Sequence, residues 1–259
     1  MNFNLNFLPE RTVKPRTEGC TMVIDKGLSP AELDNFLSIS APYTDFVKLG
    51  FGTAVVTPVL EEKLAIFKKY DVPYYFGGTL FEAFIARGQY NDFIALIETY
   101  GVKYIEVSDG CLEIPHDTKC RYIRELSQYG SVLSEVGSKD AEKIIAPYRW
   151  IEMMEAELEA GSVKIIAEAR EAGTAGIFRQ TGEVRGGLIE EILRKISHEL
   201  ILWEAPQKSQ QVWFIQQLGA NVNLGNIPPH EVIALESLRL GLRGDTFHQF
   251  LPKKIVFEY

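Results

Sequence analysis

Eight short runs rich in β-branched and aromatic residues recur along this chain at a nearly constant spacing. They start 21 to 36 residues apart and are Thr21–Asp25, Asp45–Leu49, Pro73–Phe76, Lys103–Ser108, Val132–Val136, Lys164–Glu168, Leu200–Glu204 and Asn221–Leu224. A strand, a helix and the return to a parallel strand need about 30 residues, and helix-start signals occur in each interval. The spacing therefore predicts an α/β fold of one domain, a (β/α)8 TIM barrel.

Local signals mark the helix starts that this fold requires. Ser29 precedes Pro30 and stands three residues before Glu32, which is the pattern of a capping box. Thr79 and Glu82 repeat the spacing after the third run. We expect a helix to begin at each of these two positions.

No linker or low-complexity tract divides the chain. We therefore assign residues 1–18 to an N-terminal extension and residues 19–259 to the barrel domain. The charged segment 139–159 is longer than the repeat demands and predicts an extra helix. It and the extension are candidate contacts of a homo-oligomer.

Charge and cysteine content exclude several classes of protein. The 27 Lys and Arg against 35 Asp and Glu give a net charge of −8, which argues against nucleic acid or an anionic membrane as a partner. Cys20, Cys111 and Cys120 match no zinc or disulfide spacing, which suits a reducing cytoplasm. The sequence shows no signal-peptide pattern and no apolar run long enough to span a bilayer.

Glutamates close four successive predicted strands: Glu106, Glu135, Glu168 and Glu204. A single strand-end glutamate is more often a helix cap or a rim ion pair, but four in succession converge on one mouth of a barrel, where like charges require a cation. The four histidines show no ligand spacing, so oxygen ligands favour a hard ion, Mg²⁺, over zinc. We predict that these glutamates hold Mg²⁺.

Basic residues accompany the carboxylates at the predicted strand ends. Lys48 ends the second run and is expected to point inward, with a pKa lowered by burial. Its alternative roles are an ion pair with a strand-end carboxylate or, in an aldolase, a Schiff-base nucleophile. The other cations are Lys26, Lys139, Arg170, Lys208 and Arg243.

A phosphate site is predicted in the loops after the seventh and eighth strands, where barrels of this kind commonly bind phosphate. A helix cap is the alternative for Arg243. The glycine-rich segment 176–187 is predicted to be a mobile loop and a candidate lid. The predicted phosphate ligands are Arg170, Lys208, Asn223, Gly225 and Arg243.

Several motifs at these positions resemble those of the phosphosulfolactate synthase family, in order from about Gly19 to Phe247. They are Asp25-Lys26-Gly27, Asp45-Phe46-Val47-Lys48, Gly77-Gly78-Thr79-Leu80-Phe81-Glu82, Ser134-Glu135-Val136-Gly137, the segment 204–211, Asn221-Val222-Asn223-Leu224 and Leu242-Arg243-Gly244-Asp245-Thr246-Phe247. The resemblance implies a (β/α)8 barrel and a Mg²⁺-dependent carbon–sulfur lyase. Such an enzyme adds sulfite to phosphoenolpyruvate and forms (2R)-2-phospho-3-sulfolactate, a sulfonate on the way to coenzyme M in methanogens.

The resemblance also implies roles for residues at the mouth. We assign Lys139 as the general acid and Lys48 as the clamp for a carboxylate or sulfite, with Lys26 and Asp25 as further catalytic candidates. A trimer or a larger homo-oligomer is expected. The family includes plant heat-stress relatives, so a non-catalytic interaction protein stays open as an alternative function.

Overall fold

The computed structural model describes residues 3–137 and 145–253. Within these ranges, eight strands alternate with helices along the chain. The strands are β1 (Thr21–Asp25), β2 (Phe46–Leu49), β3 (Tyr74–Phe76), β4 (Tyr104–Val107), β5 (Ser131–Val136), β6 (Ser162–Ala167), β7 (Ile201–Glu204) and β8 (Leu224–Ile227). The helices are α1 (Pro30–Ser40), α2 (Thr53–Val56), α3 (Leu60–Lys69), α4 (Gly78–Ile85), α5 (Tyr90–Tyr100), α6 (His116–Leu126), α7 (Pro147–Glu159), α8 (Gly186–Leu193), α9 (Lys208–Leu218) and α10 (Val232–Arg239).

The strands form one parallel sheet that is nearly closed on itself. Hydrogen-bonded neighbours follow the order β3-β2-β1-β8-β7-β6-β5-β4, and β3 and β4, at the two ends of this order, contact each other. The predicted (β/α)8 barrel is therefore confirmed.

Two apolar cores follow from the alternation of side chains along each strand. The inward-facing residues form a small cluster inside the barrel: Cys20, Met22, Phe46, Tyr75, Leu133, Ile166 and Leu202. The residues between them on the strands pack outward against the helices in a larger layer. Side chains two positions apart on a strand face the same side. The polar residues two positions after Phe46, Leu133, Ile166 and Leu202 therefore also face the barrel axis, at its carboxyl end; they are Lys48, Glu135, Glu168 and Glu204.

The eighth strand lies three residues later than the sequence predicted. The run Asn221–Leu224 has a strand-like composition, but pairing with β1 and β7 fixes the register. Leu224 N donates a hydrogen bond to Cys20 O, and Leu224 pairs with Trp203. Asn223 thus precedes the strand instead of ending it.

The helix starts agree with the sequence at one of the two predicted capping boxes. The box of Ser29 and Glu32 is present. The box of Thr79 and Glu82 is wrong, because α4 starts at Gly78 after an N-cap at Gly77. The Glu82 carboxylate instead accepts hydrogen bonds from Ser108 Oγ at 2.5 Å and Cys111 N at 2.7 Å, and so anchors the loop after β4.

The extra helix predicted over 139–159 is the ordinary crossover between β5 and β6. Helix α7 starts at Pro147, and residues 138–144 lie outside the described residues. Trp150 and Met154 of α7 are buried against the barrel. In the described ranges, no helix combines the length and the apolar character needed to cross a membrane.

The N-terminal extension packs across the amino end of the barrel. Arg11 Nε lies 2.9 Å from Glu236 Oε1 on α10. Lys14 Nζ donates a hydrogen bond to Thr44 O, just before β2, at 2.7 Å. The extension is therefore on the face opposite the strand-end glutamates.

Candidate active site at the carboxyl end of the barrel

A cavity of about 400 Å³ opens at the carboxyl end of the barrel. Each of the eight strands contributes a residue at or just beyond its end. These residues are Ile24, Lys48, Gly77, Glu106, Glu135, Glu168, Glu204 and Asn226. The four strand-end glutamates thus line one mouth, as their positions in the sequence predicted.

Lys48 is the buried cation of this mouth within the described residues. The residue is 6% exposed. Its Nζ lies 3.0 Å from Glu204 Oε1 and 3.4 Å from Glu106 Oε2. Burial favours the neutral amine, but the carboxylates of Glu106, Glu204 and Glu135 outweigh it and raise the pKa of Lys48. The expectation of a lowered pKa is wrong, and a permanently protonated amine is unsuited to Schiff-base chemistry.

Glu106 and Glu204 also hold backbone amides, which fixes their orientation. Gly78 N donates to Glu106 Oε1 at 2.6 Å, and Ala169 N donates to Glu204 Oε2 at 3.0 Å. A Cβ at position 78 would lie 2.9 Å from Glu106 Oε1, so this close approach requires glycine. Burial, and then the charge of Glu135, raises the pKa of Glu106 against the opposing effect of Lys48.

Glu135 lies on β5 and Glu168 directly follows the neighbouring strand β6, at 4% and 2% exposure. Glu168 Oε1 accepts a hydrogen bond from Arg170 N. Gly137 packs against Glu168: a Cβ there would lie 2.6 Å from Glu168 Cβ, and its φ of +139° favours glycine. The backbone at Gly137 and Arg170 therefore confines the side chain of Glu168 at the mouth.

Lys119, on α6, contacts the backbone of Glu135, and the sequence analysis predicted no role for it. It is almost fully buried, and its Nζ donates to the carbonyl oxygen of Glu135. The same nitrogen lies 2.8 Å from Glu157 Oε1 and 2.9 Å from Asp109 Oδ1. A buried lysine in a helical pattern resembles any solvated lysine in the sequence, so no signal in the sequence identified it.

The donor set of the mouth fits Mg²⁺. Glu106 Oε2 is buried and accepts no hydrogen bond from the described residues, although Lys48 Nζ lies 3.4 Å from it. The strand-end glutamates and Asn226 supply hard oxygen donors to the cavity, which Mg²⁺ prefers. Mg²⁺ binds one or two carboxylates and completes its shell with water and substrate oxygens. The mouth matches such an open site.

Another group of possible metal ligands lies at the opposite end of the barrel. Among the described residues, it is at Glu18, His198 and Glu199 that three ligand atoms lie within 4.8 Å of one another, and no three of the mouth glutamates converge this closely. His198 and Glu199 come just before β7, at its amino end. This group is thus separate from the mouth.

Asp25 is predicted to be catalytic but faces away from the cavity. It is fully buried, with Oδ2 2.7 Å from Lys63 Nζ on α3, and Oδ1 accepts hydrogen bonds from the amides of Gly27 and Leu28. Because Ile24 points inward, its neighbour Asp25 must point outward. Asp25 joins β1 to α3 and shapes the loop between β1 and α1.

The two other cations at the mouth are exposed. Arg170 lines the cavity. Lys26 lies at the rim, where Nζ is 3.5 Å from Glu171 Oε2 and both side chains are about half exposed. Lys139 lies outside the described residues, so its role as general acid stays a prediction.

The predicted phosphate ligands are not brought together. Asn223 is at the amino end, where it accepts a hydrogen bond from Cys20 N at 3.0 Å and donates to Ile201 O at 3.1 Å. Gly225 lies within β8, where a Cβ would be 2.9 Å from Met22 Cε inside the barrel. The shift of β8 explains both displacements.

The remaining basic residues of that set lie outside the cavity. Lys208, at the start of α9, pairs with Asp245 at 3.0 Å. Arg243 lies in the segment that follows α10, two residues before Asp245, and is not part of the cavity wall. Of the five predicted ligands, Arg170 alone lines the cavity within the described ranges.

Asn226 takes the position that the sequence analysis gave to Asn223. It follows Gly225 on β8, is 3% exposed and lines the cavity. Its backbone has a φ of +54°. The sequence analysis looked for a polar residue at the end of each strand. Because it placed the eighth strand three residues too early, it selected Asn223 instead of Asn226.

The glycine-rich loop after β6 is folded against the barrel. Ile177 and Phe178 are buried, and Ile177 N donates to Glu168 O at 3.1 Å. A bridge between Phe178 and Val184 closes the loop on itself. The loop thus packs next to Glu168, and its predicted action as a lid stays a prediction.

Comparison with known proteins agrees with this architecture. The family model for (2R)-phospho-3-sulfolactate synthase (ComA) matches residues 9–245. The chain is 44% identical to phosphosulfolactate synthase of Bacillus subtilis, with 93% of this chain and 96% of that protein covered. It is 41% identical to phosphosulfolactate synthase of Methanothermobacter thermautotrophicus, with 92% and 95% covered.

More distant similarities extend to a plant protein and to solved barrels. The chain is 23% identical to protein HEAT-STRESS-ASSOCIATED 32 of Arabidopsis thaliana, over 89% of this chain and 88% of that protein. The crystal structure of 3-hexulose-6-phosphate synthase from Salmonella typhimurium superposes with a TM-score of 0.58 at 15% identity, covering 86% of this chain and all of that one. The latter similarity shows a shared fold.

Proposed function

Because this chain belongs to the (2R)-phospho-3-sulfolactate synthase family, we propose that it adds sulfite to phosphoenolpyruvate and forms (2R)-2-phospho-3-sulfolactate. The reaction places it among carbon–sulfur lyases and uses Mg²⁺. The observation that carries the proposal is the mouth itself, where four buried glutamates and the buried Lys48 line one cavity. Family membership supports an enzyme of this type; the substrates and the metal are part of the proposal.

The mouth is rich in carboxylates, so binding of two anionic substrates there requires a bound cation. Phosphoenolpyruvate and sulfite repel each other and the glutamates, so fixed positive charge must offset this repulsion. Glu135 and Glu168 would hold Mg²⁺, because they are buried at the ends of the paired strands β5 and β6 and both line the cavity. When bound, Mg²⁺ stabilises the negative charge that develops on the substrate carboxylate.

The proposed addition conserves the phosphate ester. The sulfur lone pair forms a bond to the methylene carbon, and the double-bond electron pair moves toward the carboxylate. A proton then reaches the carbon that bears the phosphate, and no group leaves. The product therefore contains the atoms of phosphoenolpyruvate, sulfite and one proton.

The chain's residues divide this work. Lys48, held between two carboxylates, orients an anionic oxygen at the floor of the cavity; its raised pKa makes it a clamp and a poor proton donor. Arg170, which lines the cavity and is exposed, is the proposed contact for the phosphate. Lys139, which follows the end of β5 by three residues in the sequence, is the proposed proton donor; a general acid of this kind requires a pKa near the working pH.

The decisive experiment incubates the purified protein with phosphoenolpyruvate, sulfite and Mg²⁺ and follows phosphosulfolactate by mass spectrometry. We expect product that disappears with EDTA and returns with added Mg²⁺. Lys139→Ala should abolish turnover, whereas Lys143→Ala, from the same segment, should retain it.

The same assay can contradict the proposal in two ways. If phosphoenolpyruvate raises the melting temperature but no product forms, the nucleophile is not sulfite. If there is neither product nor a shift, the result would favour the non-catalytic alternative suggested by the plant relative.

A further inference from the structure

Asn226 occupies a strained and buried position at the mouth. It is 3% exposed, lies next to the end of β8 and lines the same cavity as the four glutamates. Its φ of +54° is in the left-handed region, which asparagine tolerates at some cost. Non-glycine residues in this conformation often lie at functional sites.

The carboxamide of Asn226 has an unsatisfied oxygen. Oδ1 is buried and has no hydrogen-bond partner within residues 3–137 and 145–253. A buried acceptor without a donor carries a free-energy cost for the folded chain. This cost is removed if a ligand in the cavity supplies a positive charge or a donor to the oxygen.

The neighbours of Asn226 favour a cation. Ladder pairing joins Ala167 to Trp203 and Glu204 to Gly225. Glu168, Glu204 and Asn226 therefore lie at the ends of three adjacent strands, which are about 4.8 Å apart. The donors near these residues, Lys48 Nζ and Ala169 N, are engaged by Glu204, whereas a hard cation binds carboxylate and amide oxygens alike.

We propose that Oδ1 of Asn226 is an oxygen ligand of the divalent cation at the mouth. The inference rests on the proposed function, because it concerns the same cation. A neutral amide adds a ligand without adding a fifth negative charge, which would increase the repulsion among the four glutamates. This explains why asparagine, and not aspartate, stands at this position.

The test measures binding of Mn²⁺, used as the probe in place of Mg²⁺, by electron paramagnetic resonance with and without phosphoenolpyruvate. Asn226→Gly removes the carboxamide while glycine accepts the backbone conformation. We expect at least a tenfold higher dissociation constant for Mn²⁺, with a melting temperature equal to or above that of the parent protein. Asn226→Asp keeps an oxygen and should bind Mn²⁺ at least as tightly as the parent protein.

Asn223→Gly is the matched control. It removes the same side chain from the amino end of the barrel, where Asn223 bonds to Cys20 and Ile201. We expect a lower melting temperature and an unchanged dissociation constant.

Two outcomes would overturn the inference, and they are distinguishable. If Asn226→Gly binds Mn²⁺ within twofold of a parent protein that binds it well, Asn226 is not a ligand and the proposed function still stands. If the parent protein binds no Mn²⁺ with or without phosphoenolpyruvate, the metal requirement of the proposed function fails together with the inference.

Discussion

Lys48 Nζ, on β2, lies 3.0 Å from Glu204 Oε1, on β7, across the mouth of the barrel. The same nitrogen is 3.4 Å from Glu106 Oε2. One ammonium group thus compensates two buried carboxylates that belong to strands far apart in sequence. Lys48 therefore affects both the stability of the barrel and the charge of the site.

Lys48→Met should destabilise the fold in a pH-dependent way. Loss of the cation leaves Glu106 and Glu204 buried without it, at a cost of about 3 kcal/mol at pH 8. The pKa of Glu106 is already raised by burial, so its folded form takes up a proton more readily than its unfolded form. The loss should therefore shrink at pH 5, as measured by urea unfolding.

The exposed Lys26, which pairs with Glu171 at 3.5 Å, provides the control. Lys26→Met should change the free energy of unfolding by less than about 1 kcal/mol. An equal loss for Lys48→Met at both pH values would show that the carboxylates do not respond to its removal.

Lys48 should not form a Schiff base. Its carboxylate neighbours raise its pKa, so the amine stays protonated and lacks a lone pair for attack on a carbonyl. Incubation with pyruvate and borohydride at pH 7 to 9, followed by mass spectrometry, should show no reduced adduct at this residue. An adduct mapped to Lys48 would revive an aldolase mechanism.

Asp25→Asn should reduce stability without reducing catalysis. The change leaves Lys63 charged and buried, at a cost of about 3 kcal/mol, but Asp25 is turned away from the cavity. We expect kcat to stay within threefold of that of the parent protein below the melting temperature. A hundredfold loss of kcat at normal stability would restore the catalytic role predicted from the sequence.

Cys111 should be the most reactive of the three thiols. It is exposed and lines the cavity. Burial, followed by the charge of Asp45, raises the pKa of Cys20 to about 11, and burial raises that of Cys120. At pH 8, a thiol reagent should modify one cysteine rapidly, and the Cys111→Ser variant should lose this phase.

Ligand binding gives the thiol experiment a second readout. Phosphoenolpyruvate with Mg²⁺ should slow the rapid phase, because Cys111 and Lys48 border the same cavity. If the rate is unchanged at saturating ligand, the substrate does not occupy this cavity.

Arg170 and Arg243 should differ in their effect on substrate binding. Arg170 lines the cavity, whereas Arg243 lies beyond α10 outside its wall. Arg170→Ala should raise KM for phosphoenolpyruvate at least tenfold, and Arg243→Ala should leave it within twofold. The reverse pattern in steady-state kinetics would place the phosphate in the loops originally predicted to bind it.

The barrel and the glutamates of its mouth could be predicted from the amino-acid sequence. Eight strand-like runs, each about one βα unit from the next, predict a parallel barrel. The spacing of the runs and the hydrophobic period of each strand or helix can both be read from neighbouring residues. Glu135, Glu168 and Glu204 follow inward apolar residues by two positions, so the period of a strand places all three inside.

Which of the other polar residues join the site depends on contacts between distant segments and could not be predicted. The register of β8 depends on pairing with β1 and β7, and a shift of three residues exchanges Asn223 for Asn226 at the mouth. The orientation of Asp25 and its partner Lys63 depends likewise on packing between distant segments.

The protonation of Lys48 was also decided by the tertiary structure. Burial alone would lower its pKa, but the opposing carboxylates come from β4, β5 and β7. Coulomb energies depend on distances through space, and a single sequence gives distances along the chain. The fold class, and the face of a strand on which a side chain lies, thus follow from local sequence. Strand register, ion pairs and pKa values depend on contacts between strands that are distant in sequence.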